Sequence, residues 1–213
     1  MSTPDSPTVT VAHLGIGNVG SVVNMFRHLG HSARVTSSPD EIAAADKVVL
    51  PGVGHWETAV RQMDALGVRE ALEDVVSRGV PTLGICLGMQ LLLEASEEGP
   101  GPGLGFVPGK LVHFRETVDG NGQTLRVPHM GWNAVGLAAP EDPIVSRLEP
   151  DSRFYFVHSF HADGVPPENT LLTATYGYEF VCGVRHENVW GFQFHPEKSH
   201  HFGMALMRAF AEI

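Results

Sequence analysis

Sulfur is scarce in this chain. Two cysteines in 213 residues cannot build a disulfide framework, which excludes the small cross-linked secreted scaffolds and points to a reducing compartment. Basic charge is short as well: Lys and Arg number 14 against 24 Asp and Glu, for a net charge of -10. So acidic a chain lacks the basic face that a nucleic-acid backbone requires. No run reaches the ~18 apolar residues of a membrane span. The opening "MSTPDSPTVT" has no apolar stretch of the kind a signal peptide carries. His158/His161 and His200/His201 are near pairs, but no cysteine or acidic cluster accompanies them, so no metal and no other cofactor is expected. The expectation is a cytoplasmic globular chain without membrane or nucleic-acid partners. A composition of 43% hydrophobic and 18% charged residues can fill a core. The length suits one domain, on a prior of roughly 100–200 residues each.

Strand and helix patterns alternate through the first half. "TVTVAHLG" (Thr8–Gly15) reads as a β-branched strand. Val19, Val22, Val23, Phe26 and Leu29 then recur at helical spacing, with Gly30 as a stop. "HSARVTSS" is a second strand, and "SPDEIAAA" a helix with a Ser38 cap and Pro39 at its first position. "ADKVVLPG" is a third strand ending at Pro51, and helical patterns cover Trp56–Leu66 and Val68–Arg78. Pro81–Ile85 is the next strand and Leu87–Ala95 its helix. Such alternation predicts parallel strands joined by right-handed crossovers. Beyond the loop "EGPGPGLG" (Glu98–Gly105), strand-like runs crowd together: "KLVHF", "TLRVPHMGWNAV", "RFYFVHSF", "LLTATY", "FVCGVRHE" and "VWGFQFH". Glu187-Asn188 is placed to turn the last two into a hairpin, and a helix follows near Ser199–Ile213. The predicted fold is α/β: a disordered tail at residues 1–7, then one domain over 8–213. Its central sheet is mostly parallel and flanked by helices, and the C-terminal half is more antiparallel.

Two glycine motifs sit on strand-to-helix turns. "GIGNVG" (Gly15–Gly20) matches the dinucleotide pattern Gly-x-Gly-x-x-Gly. That site wants an acidic residue at the tip of the second strand, about 20 residues on. The tip here is Thr36, Ser37 and Ser38, and Asp40 comes late, in a helix start. A tight turn of small residues explains the motif as well. The second motif, Gly84-Ile85-Cys86-Leu87-Gly88, has the form of a nucleophile elbow with cysteine in place of serine. A sharp turn lifts the nucleophile off the strand end, glycines let the backbone pack where a Cβ would clash, and the following helix N-terminus favours thiolate. A small buried cysteine is the plainer alternative, and it suits Cys182 in "FVCGV" well.

A thiolate nucleophile needs a proton shuttle. Most of the twelve histidines have bland settings near turns and helix ends. His195 ends the apolar strand "VWGFQFH" and is followed by Pro196 and Glu197. Strand ends are where α/β sheets place their sites. Pro196 forces a turn, so Glu197 can fold back and fix the imidazole. Cys86, His195 and Glu197 form a candidate catalytic triad drawn from two distant strand ends.

"GICLGMQ" together with "FQFHPEKS" resembles the class I, triad-type glutamine amidotransferases, in which a Cys-His-Glu set hydrolyses glutamine. "LPGVGHW" (Leu50–Trp56) and "VPHMGWN" (Val127–Asn133) are similar to the glutaminase subunits of imidazole glycerol phosphate synthases. "YFVHSF" (Tyr155–Phe160) is similar too, although that family usually carries Tyr where this chain has Phe160. The resemblance runs from about Val11 to the C-terminus. It implies a class I amidotransferase fold in which "GIGNVGS" binds no dinucleotide. It also implies that Gly52 and Gly54 line a glutamine pocket, that Gln90 contacts the substrate, and that the backbone at Ser159 and Phe160 holds its amino-acid end. The backbone N–H groups of Val53 and Leu87 are candidate donors to the oxyanion of the tetrahedral intermediate. The implied partner is the cyclase subunit of such a synthase. It is a (β/α)8 barrel that consumes ammonia to make imidazole glycerol phosphate and an aminoimidazole carboxamide ribonucleotide in histidine biosynthesis. The rivals are the glutaminase of anthranilate synthase or of pyridoxal phosphate synthase, a nucleotide-binding module built on "GIGNVG", and a catalytically dead scaffold.

Overall fold

The computed structural model describes residues 8–17, 19–118 and 122–213; the tail expected at residues 1–7 lies outside them. Four strand-to-helix units start the fold. β1 (Val9–Ala12) leads to α1 (Val19–His28), and β2 (Ala33–Thr36) to α2 (Pro39–Ala43). β3 (Lys47–Gly52) leads to α3 (Trp56–Ala65) and α4 (Val68–Ser77), and β4 (Thr82–Cys86) to α5 (Leu87–Leu91). The second half adds β5 (Ala95–Ser96), β6 (Lys110–His113), β7 (His129–Ala134), β8 (Gly136–Leu137), β9 (Arg153–His158) and β10 (Phe160–Asp163). β11 (Thr170–Tyr176), β12 (Tyr178–His186), β13 (Val189–Phe192) and α6 (His200–Glu212) complete it.

One sheet runs β2-β1-β3-β4-β13-β12-β10-β6-β5, and β11 and β8 branch from β12. β2, β1, β3, β4 and β13 are mutually parallel, whereas β12, β10 and β6 alternate in direction. This is the predicted α/β architecture, with its antiparallel half beginning at β12. β1, β3, β4 and β13 bury every residue, because helices cover both faces of a parallel sheet. Val22 and Phe26 of α1 and Leu206 and Phe210 of α6 pack on one face. Trp56, Met63, Leu72 and Met89, from α3 to α5, pack on the other. β7 and β9 form a separate antiparallel ladder.

Several local details depart from the sequence reading. The helix predicted over Leu87–Ala95 ends at Leu91, and Ala95–Ser96 instead pairs with Lys110 and Leu111. In "TLRVPHMGWNAV" only His129–Ala134 joins a strand; Pro128, which has no N–H to offer a ladder, follows a cis peptide bond. Ser38 occupies the N-cap of α2 but makes no side-chain cap bond. The hairpin at Glu187-Asn188 forms, with Glu187 at φ 51°.

Register places the site. Phe192 pairs with Ile85 across β13 and β4, so the chain beyond each strand emerges side by side. Gly52, the last residue of β3, pairs with Cys86 itself.

Candidate active site

Cys86 ends β4 at φ 55°, ψ −111°, a conformation side-chain-bearing residues adopt only where their surroundings enforce it. The surroundings here are glycines. A Cβ on Gly88 would lie 1.7 Å from Leu50 O, and one on Gly84 would lie 2.7 Å from the Gly88 carbonyl and Met89 N. A Cβ on Gly52 would press Leu87 Cβ at 3.0 Å and Gly88 N at 3.3 Å. Bare backbone at these three positions lets β3, the turn and α5 close on one another with the thiol raised at the strand end. Gly17 serves the same junction. A Cβ on Gly17 would lie 3.3 Å from Val53 N and 3.5 Å from Gly52 Cα, so the bare backbone of Gly17 packs against the "PGVG" loop.

His195 lies beyond β13, where its N–H donates to Tyr155 O at 2.9 Å. Pro196 then opens a single helical turn, Pro196–Lys198, that brings Glu197 back beside the ring. His195 Nδ1–H donates to Glu197 Oε1 at 2.8 Å, and both side chains are buried. The other ring nitrogen, Nε2, makes no bond of full hydrogen-bond geometry among the described residues; it is the one left to exchange a proton with Cys86, the thiol that acts on this ring. Burial pulls the imidazole pKa down, but the Cys86 and Glu197 contacts outweigh it and hold the value at about 9. Near neutral pH the ring is thus held as imidazolium, the partner a thiolate needs. Cys182 has the opposite setting: it is fully buried in β12, and burial pushes its thiol well above the ordinary range.

A cavity of about 300 Å³ opens over these groups. Cys86, Leu87, His195, Val53, Gly54, Gln90, Ser159 and Phe160 line it together with Glu98, Pro128, Val157 and His158. Gly52 and Glu197 stand behind, in a small crevice beside His195. The structure therefore gathers every site residue named from the sequence around one cavity.

The Glutamine amidotransferase class-I family model matches residues 11–212. The chain belongs to the class I glutamine amidotransferases. It is 44% identical to the imidazole glycerol phosphate synthase subunit HisH of Bdellovibrio bacteriovorus over 211 residues, covering 96% of this chain and 100% of the relative. The HisH 2 subunit of Pseudomonas aeruginosa is 42% identical over 206 residues, 96% and 99% of the two chains. Among solved structures, PurLQS of Thermotoga maritima superposes with a TM-score of 0.73 at 18% identity, covering 97% of this chain and 98% of that one. The crystal structure of another glutamine amidotransferase gives 0.72 at 19%, covering 96% and 97%. At those identities the structures speak to fold, and the HisH relatives to the subfamily.

Gln193, which meets Gln90 and Cys86, and Glu98 and His158, which line the cavity of this class I amidotransferase, were not named as site residues from the sequence. Gln90, in the first turn of α5, is buried and donates from Nε2 to Gln193 Oε1 at 3.1 Å. Gln193 Nε2 in turn faces Cys86 Sγ at 3.8 Å, a weak contact that strengthens when the acceptor is ionised. Glu98, read only as the start of a loop, is the one carboxylate lining the cavity among the described residues. Trp56 N–H, at the N-terminus of α3, donates to its Oε2 at 2.8 Å. His158 lines the cavity beside Ser159 and Phe160. The signal for Gln193 was its place two residues before His195; nothing local marked Glu98, and His158 stood out only as a near pair with His161 and within "YFVHSF".

Proposed function

We propose that this protein is the glutaminase subunit of an imidazole glycerol phosphate synthase, acting in the cytoplasm beside a cyclase of (β/α)8 barrel form. The observation that carries the reading is a cysteine at φ 55°, raised at a strand end beside a buried His–Glu pair and facing a walled cavity. Cys86 thiolate attacks the carboxamide carbon of glutamine, and the C=O electrons move to oxygen. N–H groups of Leu87 and of the "PGVG" loop stabilise that oxyanion. His195 Nε2–H protonates the leaving nitrogen, so ammonia departs and a glutamyl thioester remains. His195 then takes a proton from water, and the hydroxide releases glutamate. Glu197 orients the His195 ring throughout and stabilises it whenever it is imidazolium. Glu98 supplies the negative charge that the substrate ammonium needs, and Ser159 and Phe160 face its carboxylate with backbone.

Ammonia is a nucleophile only while unprotonated, so it must pass to its acceptor without crossing bulk water. Val118, Met130 and Trp132 are exposed and border one groove, and Val53 is exposed at the cavity mouth. Large apolar side chains left open around a site mark a docking face. Val53 N sits against Gly17, and the glycines on either side of Val53 would let that peptide rotate toward the oxyanion when the partner binds. Glutamate release is measured with this chain alone, with the cyclase, and with the cyclase plus its nucleotide ligand. A large rise in the last condition, abolished by Cys86→Ala, supports the triad and the coupling. Full activity of the isolated chain removes the switch, and no activity in any condition removes the glutaminase.

A further inference from the structure

A directional chain of hydrogen bonds runs into the cavity wall. Asn133 Nδ2–H donates to Thr175 O at 2.8 Å, a carbonyl that only accepts, which fixes the orientation of the amide. The same nitrogen lies 3.3 Å from His129 Nε2. His129 Nδ1 lies 3.0 Å from His158 Nε2, and His158 Nδ1 lies 2.7 Å from Phe160 O. Phe160 O can only accept, so His158 carries its proton on Nδ1. Burial holds both imidazoles neutral, at about 3 for His158 and about 4 for His129. One proton per ring then settles every direction: Asn133 to His129, His129 to His158, His158 to the Phe160 carbonyl.

The chain ends on the segment that faces the substrate. Ser159 O already accepts from Phe114 N–H at 3.0 Å. With the carbonyls of Ser159 and Phe160 both anchored, the intervening planar trans peptide is fixed, and its N–H must point opposite to the Ser159 oxygen. That turns the Phe160 N–H away from β6, the strand that continues into Phe114. The anchoring imidazoles belong to β7 and β9, where His129 and His158 are directly paired. Phe114, Phe156 and Phe180 pack around the two rings.

We infer that His129 and His158 are positioning residues which hold the Ser159–Phe160 backbone in the geometry that recognises the amino-acid end of glutamine. The inference rests on the glutaminase reading and adds to it the residues that shape the substrate wall.

Two substitutions separate anchoring from bulk. In His158→Asn the side-chain amide nitrogen takes the place of Nδ1 and still reaches Phe160 O. In His158→Gln the amide reaches the place of Nε2 and faces His129 instead, which leaves Phe160 O unpartnered. Each variant is assayed in the cyclase complex for KM and kcat, and alone for Cys86 alkylation by iodoacetamide, which lacks an amino-acid end, and by 6-diazo-5-oxo-L-norleucine, which has one. His158→Gln is expected to raise the glutamine KM by about five- to tenfold, the loss of one net hydrogen bond. Its kcat and iodoacetamide rate should stay near wild type, while its labelling by the norleucine reagent falls in proportion to KM. His158→Asn should keep KM within about twofold. Equal KM in the two variants, or equal loss with both reagents, overturns the inference. Wild-type protein that reacts with iodoacetamide but not with the norleucine reagent overturns the glutaminase reading instead.

Discussion

Replacing Glu197 with Gln keeps the size and the acceptor oxygen of the side chain and removes its charge. His195 is held at about 9 against an ordinary 6.5. The difference, 9 minus 6.5, is about 3 kcal/mol at ~1.36 kcal/mol per pH unit. Burial opposes that figure, so Cys86 and Glu197 together contribute more than it. A hydrogen bond to a charged group is worth about 1.5–3 kcal/mol, so neutralising the acceptor should lower the His195 midpoint by about one to two pH units. The assay is a pH titration of the protein carrying 15N-labelled histidine, with His195→Asn identifying the signal. Stability supplies an independent sign. A base whose pKa is raised by folding contributes stability that is fully present below its unfolded value of 6.5 and is lost as pH climbs through about 9. The urea midpoint of Glu197→Gln should therefore fall furthest behind wild type near pH 6, with the gap closing above about pH 9. A variant midpoint still near 9, or a stability gap that widens with pH, would refute the reasoning.

Three further outcomes follow from the geometry. Gly88→Ala places a methyl group 1.7 Å from Leu50 O. Backbone cannot yield as a side chain does, so the variant should lose about 3 kcal/mol or more, read as a drop in thermal midpoint; an unchanged midpoint would mean the elbow is looser than described. Gln193→Leu removes the donor facing Cys86 and the acceptor for Gln90, and should cut kcat for glutamine hydrolysis about tenfold, so wild-type kcat would dismiss the contact. Glu98→Gln keeps an acceptor for Trp56 N–H but removes the cavity's carboxylate. The glutamine KM should rise about tenfold while iodoacetamide still alkylates Cys86 at the wild-type rate; an unaltered KM would place the substrate ammonium elsewhere.

The grouping of Cys86, His195 and Glu197 was legible because each carries its own local punctuation. Gly84 and Gly88 flank Cys86, and Pro196 stands between His195 and Glu197; these residues shape the backbone wherever the rest of the chain goes. Parallel and antiparallel halves were legible from the change in spacing near Gly99. What escaped depends on contacts made across the fold. "LLLEAS" has helical composition, yet α5 stops at Leu91 because Ala95 and Ser96 find Lys110 and Leu111, a tertiary pairing that overrides propensity. Gln90 and Gln193 meet across 103 positions, and His129 and His158 across 29. Glu98 looked like loop because its role is to reach the N-terminus of a helix that begins at Trp56. Periodicity records which face of an element is buried, and it carries no record of which distant polar group waits there.

Cys182 lies in the sheet interior with no exposed surface and with its thiol pushed up by burial. Only Cys86 is then left for a thiol reagent to find in the native molecule. A preparation of this protein can be counted as well as assayed: one mass increment per chain reports a competent elbow, none reports a collapsed one, and two reports unfolding. Specific activity can then be quoted per working site rather than per milligram, so a variant that is slow can be told apart from a variant that is only partly intact.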